Sequence, residues 1–92
     1  MQVFTPNGDE YNEYWEIDGL ASYDNATIYV FNRWGGRVWQ YSGSGKDYEA
    51  HKWNGRNEKN KPVPSGTYYY VIQCGDKYLP GRKVTGPVTV IR

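Results

Sequence analysis

The sequence predicts an all-β fold: an antiparallel β-sandwich of about seven short strands in one domain. Three observations carry this. Runs of aromatic and β-branched residues alternate with period two, most clearly at Thr67-Tyr68-Tyr69-Tyr70-Val71-Ile72 and Ala26-Thr27-Ile28-Tyr29-Val30-Phe31. Eleven Gly and five Pro are scattered between these runs rather than clustered, as turns between short strands require. No stretch carries helical apolar spacing over a useful length.

Taken in order, Val3-Phe4 is an apolar entry strand, and Thr5-Pro6-Asn7-Gly8-Asp9 is a turn. Tyr14-Trp15-Glu16-Ile17 alternates and predicts a strand with Trp15 and Ile17 inward. Leu20–Tyr23 predicts one helical turn before Asp24-Asn25. The strand over 26–32 runs into Arg33-Trp34-Gly35-Gly36, a tight hairpin connection to Arg37–Tyr41. Ser42–Asp47 is polar, with no core signal. Trp53 stands alone as a large apolar group in a long polar loop, and so pins that loop over the core; Asn54-Gly55 turns after it.

The organising stretch is Pro62–Ile72. Its Pro/Ser/Gly turn leads into a strand with large apolar groups on both faces: Tyr68, Tyr70, Ile72 and Cys74 on one, Thr67, Tyr69, Val71 and Gln73 on the other. Such a strand belongs inside a sandwich. Lys77–Leu79 is a weak strand between the turns at Gly75-Asp76 and Pro80-Gly81. Val84–Arg92 closes the chain; Pro87 cannot donate to a ladder, which predicts an edge strand or a bulge at Gly86.

With 92 residues the chain makes one domain with a thin core, and its four Trp, ten Tyr and two Phe must supply much of the burial. The opening residues fall in mid-pattern, as in a piece of a larger protein. One Cys excludes an internal disulfide and a multi-thiolate metal site, and Cys74 in strand register reads as a small buried hydrophobe. No segment has the apolar length of a membrane span, so direct insertion is not expected. Residues 1–32 carry six acids and no Lys or Arg, whereas residues 33–92 carry all eleven cations against four acids. Either the two parts neutralise each other, or they form an acidic loop for a cation and a basic face for a partner.

Catalysis has no support: His51 is the single His and has no nucleophile at a meaningful spacing. Nucleic-acid binding has none either, because the cations interleave with acids and form no binding motif. Two candidate sites remain. Asn7, Asp9, Asn12 and Glu13 put oxygen donors in one loop, which suits Ca²⁺ as the one cofactor to consider; the competing reading is a loop whose side chains bond its own backbone. Trp34 beside Arg33 is either a platform for sugar or peptide or a cap on the end of the sandwich, with the guanidinium stacked on the indole. Trp39 and Trp53 share the adhesive reading if exposed.

Several blocks together resemble the gliding-motility-associated C-terminal domain, the type B sorting domain of the Bacteroidetes type IX secretion system. They are Phe4-Thr5-Pro6-Asn7-Gly8-Asp9, Asn12, Trp15, Ile28, Phe31-Asn32-Arg33-Trp34-Gly35, Val38, Trp53-Asn54-Gly55, Pro64-x-Gly66-Thr67-Tyr68-Tyr69-Tyr70 and Gly86-x-Val88-x-Val90-Ile91-Arg92. The match runs in order along nearly the whole chain. It departs from the family pattern at Glu10 and Glu13, where Gly and Asp are usual, and at Asn54, where Asp is usual.

The resemblance implies a single immunoglobulin-like sorting domain over residues 1–92, at the C-terminus of a secreted or cell-surface protein such as an adhesin. It implies a module without enzymatic activity, a monomer when isolated. Such a module is read in folded form by outer-membrane secretion proteins as its parent passes from periplasm to exterior. The expected docking residues are Arg33 and Trp34, with Pro64, Gly66 and Tyr68 of the Pro62–Tyr68 turn and Val88, Val90 and Arg92 of a last strand with an open edge. The alternative is a carbohydrate- or peptide-binding adhesive module.

Overall fold

The computed structural model describes residues 2–6, 8, 13–17, 19–20, 23–75 and 82–92, without the side chains of Gln2 and Arg82. Five strands form one sheet: β1 (Gln2–Phe4), β2 (Asn25–Phe31), β3 (Arg37–Gly43), β4 (Gly66–Gly75) and β5 (Arg82–Val90). The order across the sheet is β1-β5-β4-β2-β3. β1 runs parallel to β5 and every other pair is antiparallel. The all-β class stands as the sequence predicts. β4 is central, as its two-sided apolar pattern requires.

Alternation sorts the sheet into two faces. Ala26, Ile28 and Val30 of β2, Tyr41 of β3, Tyr68, Tyr70, Ile72 and Cys74 of β4, and Val88 and Val90 of β5 are buried on the inner face. Register brings them side by side: Tyr41, Ile28 and Ile72 lie in one row, Trp39, Val30 and Tyr70 in the next.

What covers that face differs from a sandwich. Among the described residues the second layer is not a second sheet but loops and one 3-10 turn, Asp47–Ala50. The strand expected at Tyr14–Ile17 is irregular chain, tied to the core by a bond from the Trp15 N–H to the Trp53 carbonyl at 2.9 Å. Trp15 is nonetheless buried and Ile17 packs against the core, so the inward pair is as expected. At Leu20–Tyr23 the Tyr23 N–H donates to the Leu20 carbonyl at 3.1 Å, closing one turn, with residues 21 and 22 outside the described set. The weak strand expected at Lys77–Leu79 and its flanking turns at Asp76 and Pro80-Gly81 also lie outside it.

Trp53 is the hub of the covering layer. It is 0% exposed and meets Phe4, Trp15, Trp39 and Tyr68 with ring centroids 5.2–6.4 Å apart. Its Nε1–H donates to the Arg56 carbonyl at 2.9 Å. Aromatic pairs of this kind add about 0.5–1.5 kcal/mol each beyond area burial.

The sequence suggests that Trp53 is the single anchor of its loop, but the structure adds a second. Tyr48, from the 3-10 turn, is buried beside it. Its hydroxyl donates to the Trp15 carbonyl at 2.8 Å and accepts from the Trp53 N–H at 3.3 Å. Burial holds this phenol well above its ordinary pKa; the Trp53 N–H pulls it down, and Glu16 and Glu49 push it up. Nor is Ser42–Asp47 free of the core. Gly45 is buried, its N–H donates to the Tyr23 carbonyl at 3.1 Å, and a Cβ there would overlap the Leu20 carbonyl oxygen.

The acidic and basic parts of the chain do meet. Lys52 Nζ lies 2.7 Å from Glu16 and 3.0 Å from Glu49, and the hydrogen bond to Glu16, then that to Glu49, raises the Lys52 pKa. No helix among the described residues is long and apolar enough to cross a membrane.

Candidate functional site

The hairpin between β2 and β3 is built by Asn32. Its N–H donates to the Gly36 carbonyl at 2.8 Å, and its side-chain oxygen accepts from the N–H groups of Trp34 and Gly36 at 3.0 and 2.9 Å. This Asx turn leaves Trp34 77% exposed. The Arg33 guanidinium carbon sits 4.3 Å from the Trp34 ring centroid. The stacking is therefore as expected, and the indole is a projecting platform rather than a cap.

A second turn repeats the device. The Asn57 side-chain oxygen accepts from the N–H groups of Lys59 and Lys61 at 2.9 and 3.0 Å, and the Asn57 N–H donates to the Lys61 carbonyl at 2.8 Å. Pro62–Tyr68 follows. Val63 is buried, with its N–H on the Gly55 carbonyl at 2.9 Å, and the Tyr68 hydroxyl donates to the Pro64 carbonyl at 2.7 Å. Burial raises the Tyr68 pKa against the opposing pull of the Arg92 cation.

Between these segments runs a groove of about 410 Å³. It brings together five of the residues singled out in the sequence: Arg33, Trp34, Pro64, Gly66 and Tyr68. Val38, Asn57 and Thr67 line it as well. The sequence reading missed Val38 and Asn57 as site residues, although Val38 stands in a family-like block; Thr67 belongs to the Pro62–Tyr68 turn it singled out. The lining offers the Arg33 guanidinium and the hydroxyls of Ser65, Thr67 and Tyr68 as polar groups beside the Trp34 indole.

The other expected docking residues lie elsewhere. Val88 and Val90 are 0% exposed, in the core. The expected open edge at the end of the last strand is covered, because β1 pairs with it from Val88 to Val90. Only the stretch of β5 before Val88 lies beyond the reach of β1, whose three residues end the ladder there. Arg92 is an anchor. Its Nε donates to the Val63 carbonyl at 2.6 Å, one Nη to the Pro6 carbonyl at 3.2 Å and the other to the Gly55 carbonyl. Its backbone N–H adds a bond to Ser65 Oγ at 2.9 Å. Gly55 permits this with φ +79°: a Cβ there would lie 2.9 Å from Pro6 Cγ and 3.0 Å from Arg92 Nη2.

Of the candidate ion ligands, Asn7, Asp9 and Asn12 lie outside the described residues. The Glu13 carboxylate accepts from the Gly8 N–H, with both oxygens at 3.0 Å. Among the described residues no group of three or more His, Cys, Asp or Glu is placed to hold a metal.

Comparison with protein-family models matches residues 1–89 to the CHU_C type IX secretion signal domain. The chain belongs to this family. Comparison with characterised proteins returned no match. The membership agrees with the sequence resemblance, and it gives the domain its role: a type IX secretion sorting signal on a protein that is secreted or carried to the cell surface. A secretion signal domain is not an enzyme family.

Proposed function

We propose that this CHU_C domain is read in its folded form, by outer-membrane secretion proteins that engage the Trp34 groove. One observation carries the reading. The groove's residues come from 32–38, 57 and 62–68, three stretches that meet only when the chain is folded. Both turns that wall it are fixed by an Asn side chain, so the surface is preorganised and little ordering cost falls on the partner. An exposed indole stacked with a guanidinium is the kind of anchor that dominates protein interfaces. In the family picture the partner is a dedicated outer-membrane protein of the gliding-motility class, met from the periplasmic side by a monomeric domain.

The test is a secreted reporter ending in residues 1–92, with two variants. Trp34→Ala keeps the fold and removes the anchor. Trp53→Ala keeps every groove residue and removes the hub of the fold. Folded recognition requires that both reduce export relative to the unaltered domain. Normal export of a Trp53→Ala reporter shown to be unfolded would overturn it.

A glycan-binding reading rests on Trp34 alone, since Trp53 is enclosed and Trp39 is packed against it. It requires saturable quenching of Trp fluorescence that Trp34→Ala abolishes. A flat response across a broad glycan panel would remove it.

A further inference from the structure

β3 is one of the two outer strands of this sheet, and its geometry defines what fits there. Two observations fix the direction of its backbone. The Asn32 N–H points across to Gly36, so by alternation along β2 the N–H groups of Val30, Ile28 and Ala26 also face β3. Their partners Trp39, Tyr41 and Gly43 therefore bond inward, and Gln40 and Ser42 direct N–H and C=O away from the sheet. Independently, the Val38 carbonyl accepts the Glu58 N–H at 3.2 Å from the outer side, which is the same parity. Gln40 and Ser42 are exposed, and their outward backbone groups find no partner among the described residues.

The open stretch is short and shaped. Val38 is the extra residue of a bulge opposite Phe31, and the bond from Glu58 closes the edge at that point. Beyond it, residues 51–60 form a shelf beside the edge, enclosing a cleft of about 560 Å³. Lys52, Arg56 and Glu58 are the charged side chains in its lining. Glu58 is engaged by Arg37 at 3.4 Å, and Lys52 by Glu16 and Glu49. Arg56 gives one Nη1 bond to the Asn60 carbonyl and meets no carboxylate among the described residues, so its charge is the one left for a ligand.

We infer that the β3 edge at Gln40 and Ser42 accepts an extended, acidic segment of another protein as a sixth strand, with a carboxylate beside Arg56. Main-chain bonds supply the pairing and the shelf supplies the preference. The inference rests on neither reading of the Trp34 groove, with which the cleft shares only Asn57 among the lining residues described. The probe is an acetylated, amidated hexapeptide of alternating threonine and glutamate at millimolar concentration, with amide hydrogen exchange of the intact domain read residue by residue.

The expected result is that the Gln40 and Ser42 amides, fast in the free domain, slow by about tenfold or more. The same peptide N-methylated at alternate residues should give no protection. A lysine-for-glutamate peptide should protect less, and Arg56→Gln should erase that difference. Unchanged exchange with the glutamate peptide, or equal protection by the N-methylated one, overturns strand addition. Equal protection by the lysine peptide overturns the acidic partner. Protection that rises with the concentration of the domain alone makes a second copy the occupant and overturns the inference.

Discussion

Tyr48→Phe tests the covering layer with the removal of one oxygen. The ring stays, so packing against Tyr41 and Trp39 is retained. What is lost is the hydroxyl that satisfies the Trp15 carbonyl and the Trp53 N–H inside the core. A buried backbone group left without a partner costs about 1–3 kcal/mol. The bond to Trp53 is the longer of the two, so the sum is about 2–4 kcal/mol. A domain of this size has roughly 5–14 kcal/mol in total. The midpoint should fall by roughly 10–25 °C.

The pH dependence gives the sharper signature. The folded phenol has its pKa raised above the ordinary 10.0, so the native state holds this proton more tightly than the unfolded chain. The stability is thus complete below pH 10 and drains above it, by about 1.4 kcal/mol per pH unit. The phenylalanine of the variant has no proton to lose. The gap between the two proteins in urea denaturation, followed by Trp fluorescence, should be widest at neutral pH and narrow steadily above pH 10. Tyr41 and Tyr68, also raised, act in both proteins and cancel. A gap that stays constant from neutral to strongly alkaline pH would show that the hydroxyl is not held as described.

Three further outcomes are expected. Arg92→Ala should cost about 1.5–3 kcal/mol in chemical denaturation, and Arg92→Lys should recover little of it, because an ammonium cannot span three carbonyls as the guanidinium fork does. Trp34→Ala should leave the thermal midpoint within a degree or two, since so exposed a side chain contributes under about 0.5 kcal/mol, while export of a fused reporter falls. Cys74, buried on β4, should react with a thiol reagent only through opening of the domain, so at a fixed reagent concentration its labelling rate should rise with denaturant to that of an exposed thiol.

The sheet was legible because each of its long strands carries its own period. Ala26–Phe31 and Tyr68–Ile72 show two-sided alternation, and the hairpin at Asn32–Gly36 carries its own turn chemistry. The covering layer was not. Trp15 and Trp53 announce burial by size, but size does not say whether the chain around them is strand or loop, and here it is loop. Tyr48 was hidden because its neighbours Asp47, Glu49 and Lys46 are polar, and a single 3-10 turn leaves no periodic trace. The last strand misled for a related reason. Pro87 pointed to an edge strand or a bulge at Gly86, but the ladder to β4 runs unbroken through both, and a three-residue parallel partner from the far end of the chain covers the residues just beyond; parallel partners leave no local turn signal. The docking residues divided along the same line. Those in turns that organise themselves, Arg33, Trp34 and Pro64, came together in one groove, whereas Val88, Val90 and Arg92 took roles set by distant partners.

That division ties the groove to the core rather than setting it apart. Asn57, which builds one wall, follows Arg56, whose carbonyl receives the Trp53 indole N–H. The proline wall is held at Val63, whose N–H bonds to Gly55 and whose carbonyl receives Arg92. The opposite wall grows directly from the β2–β3 ladder through Asn32. The Asn57 and proline walls are therefore tied to the aromatic layer and the C-terminal anchor, and the Asn32 wall to the sheet itself. A surface built in this way reports the state of the whole domain. On the folded-recognition reading, a receptor that binds this groove would tell a finished fold from an unfolded chain of the same sequence without touching the core.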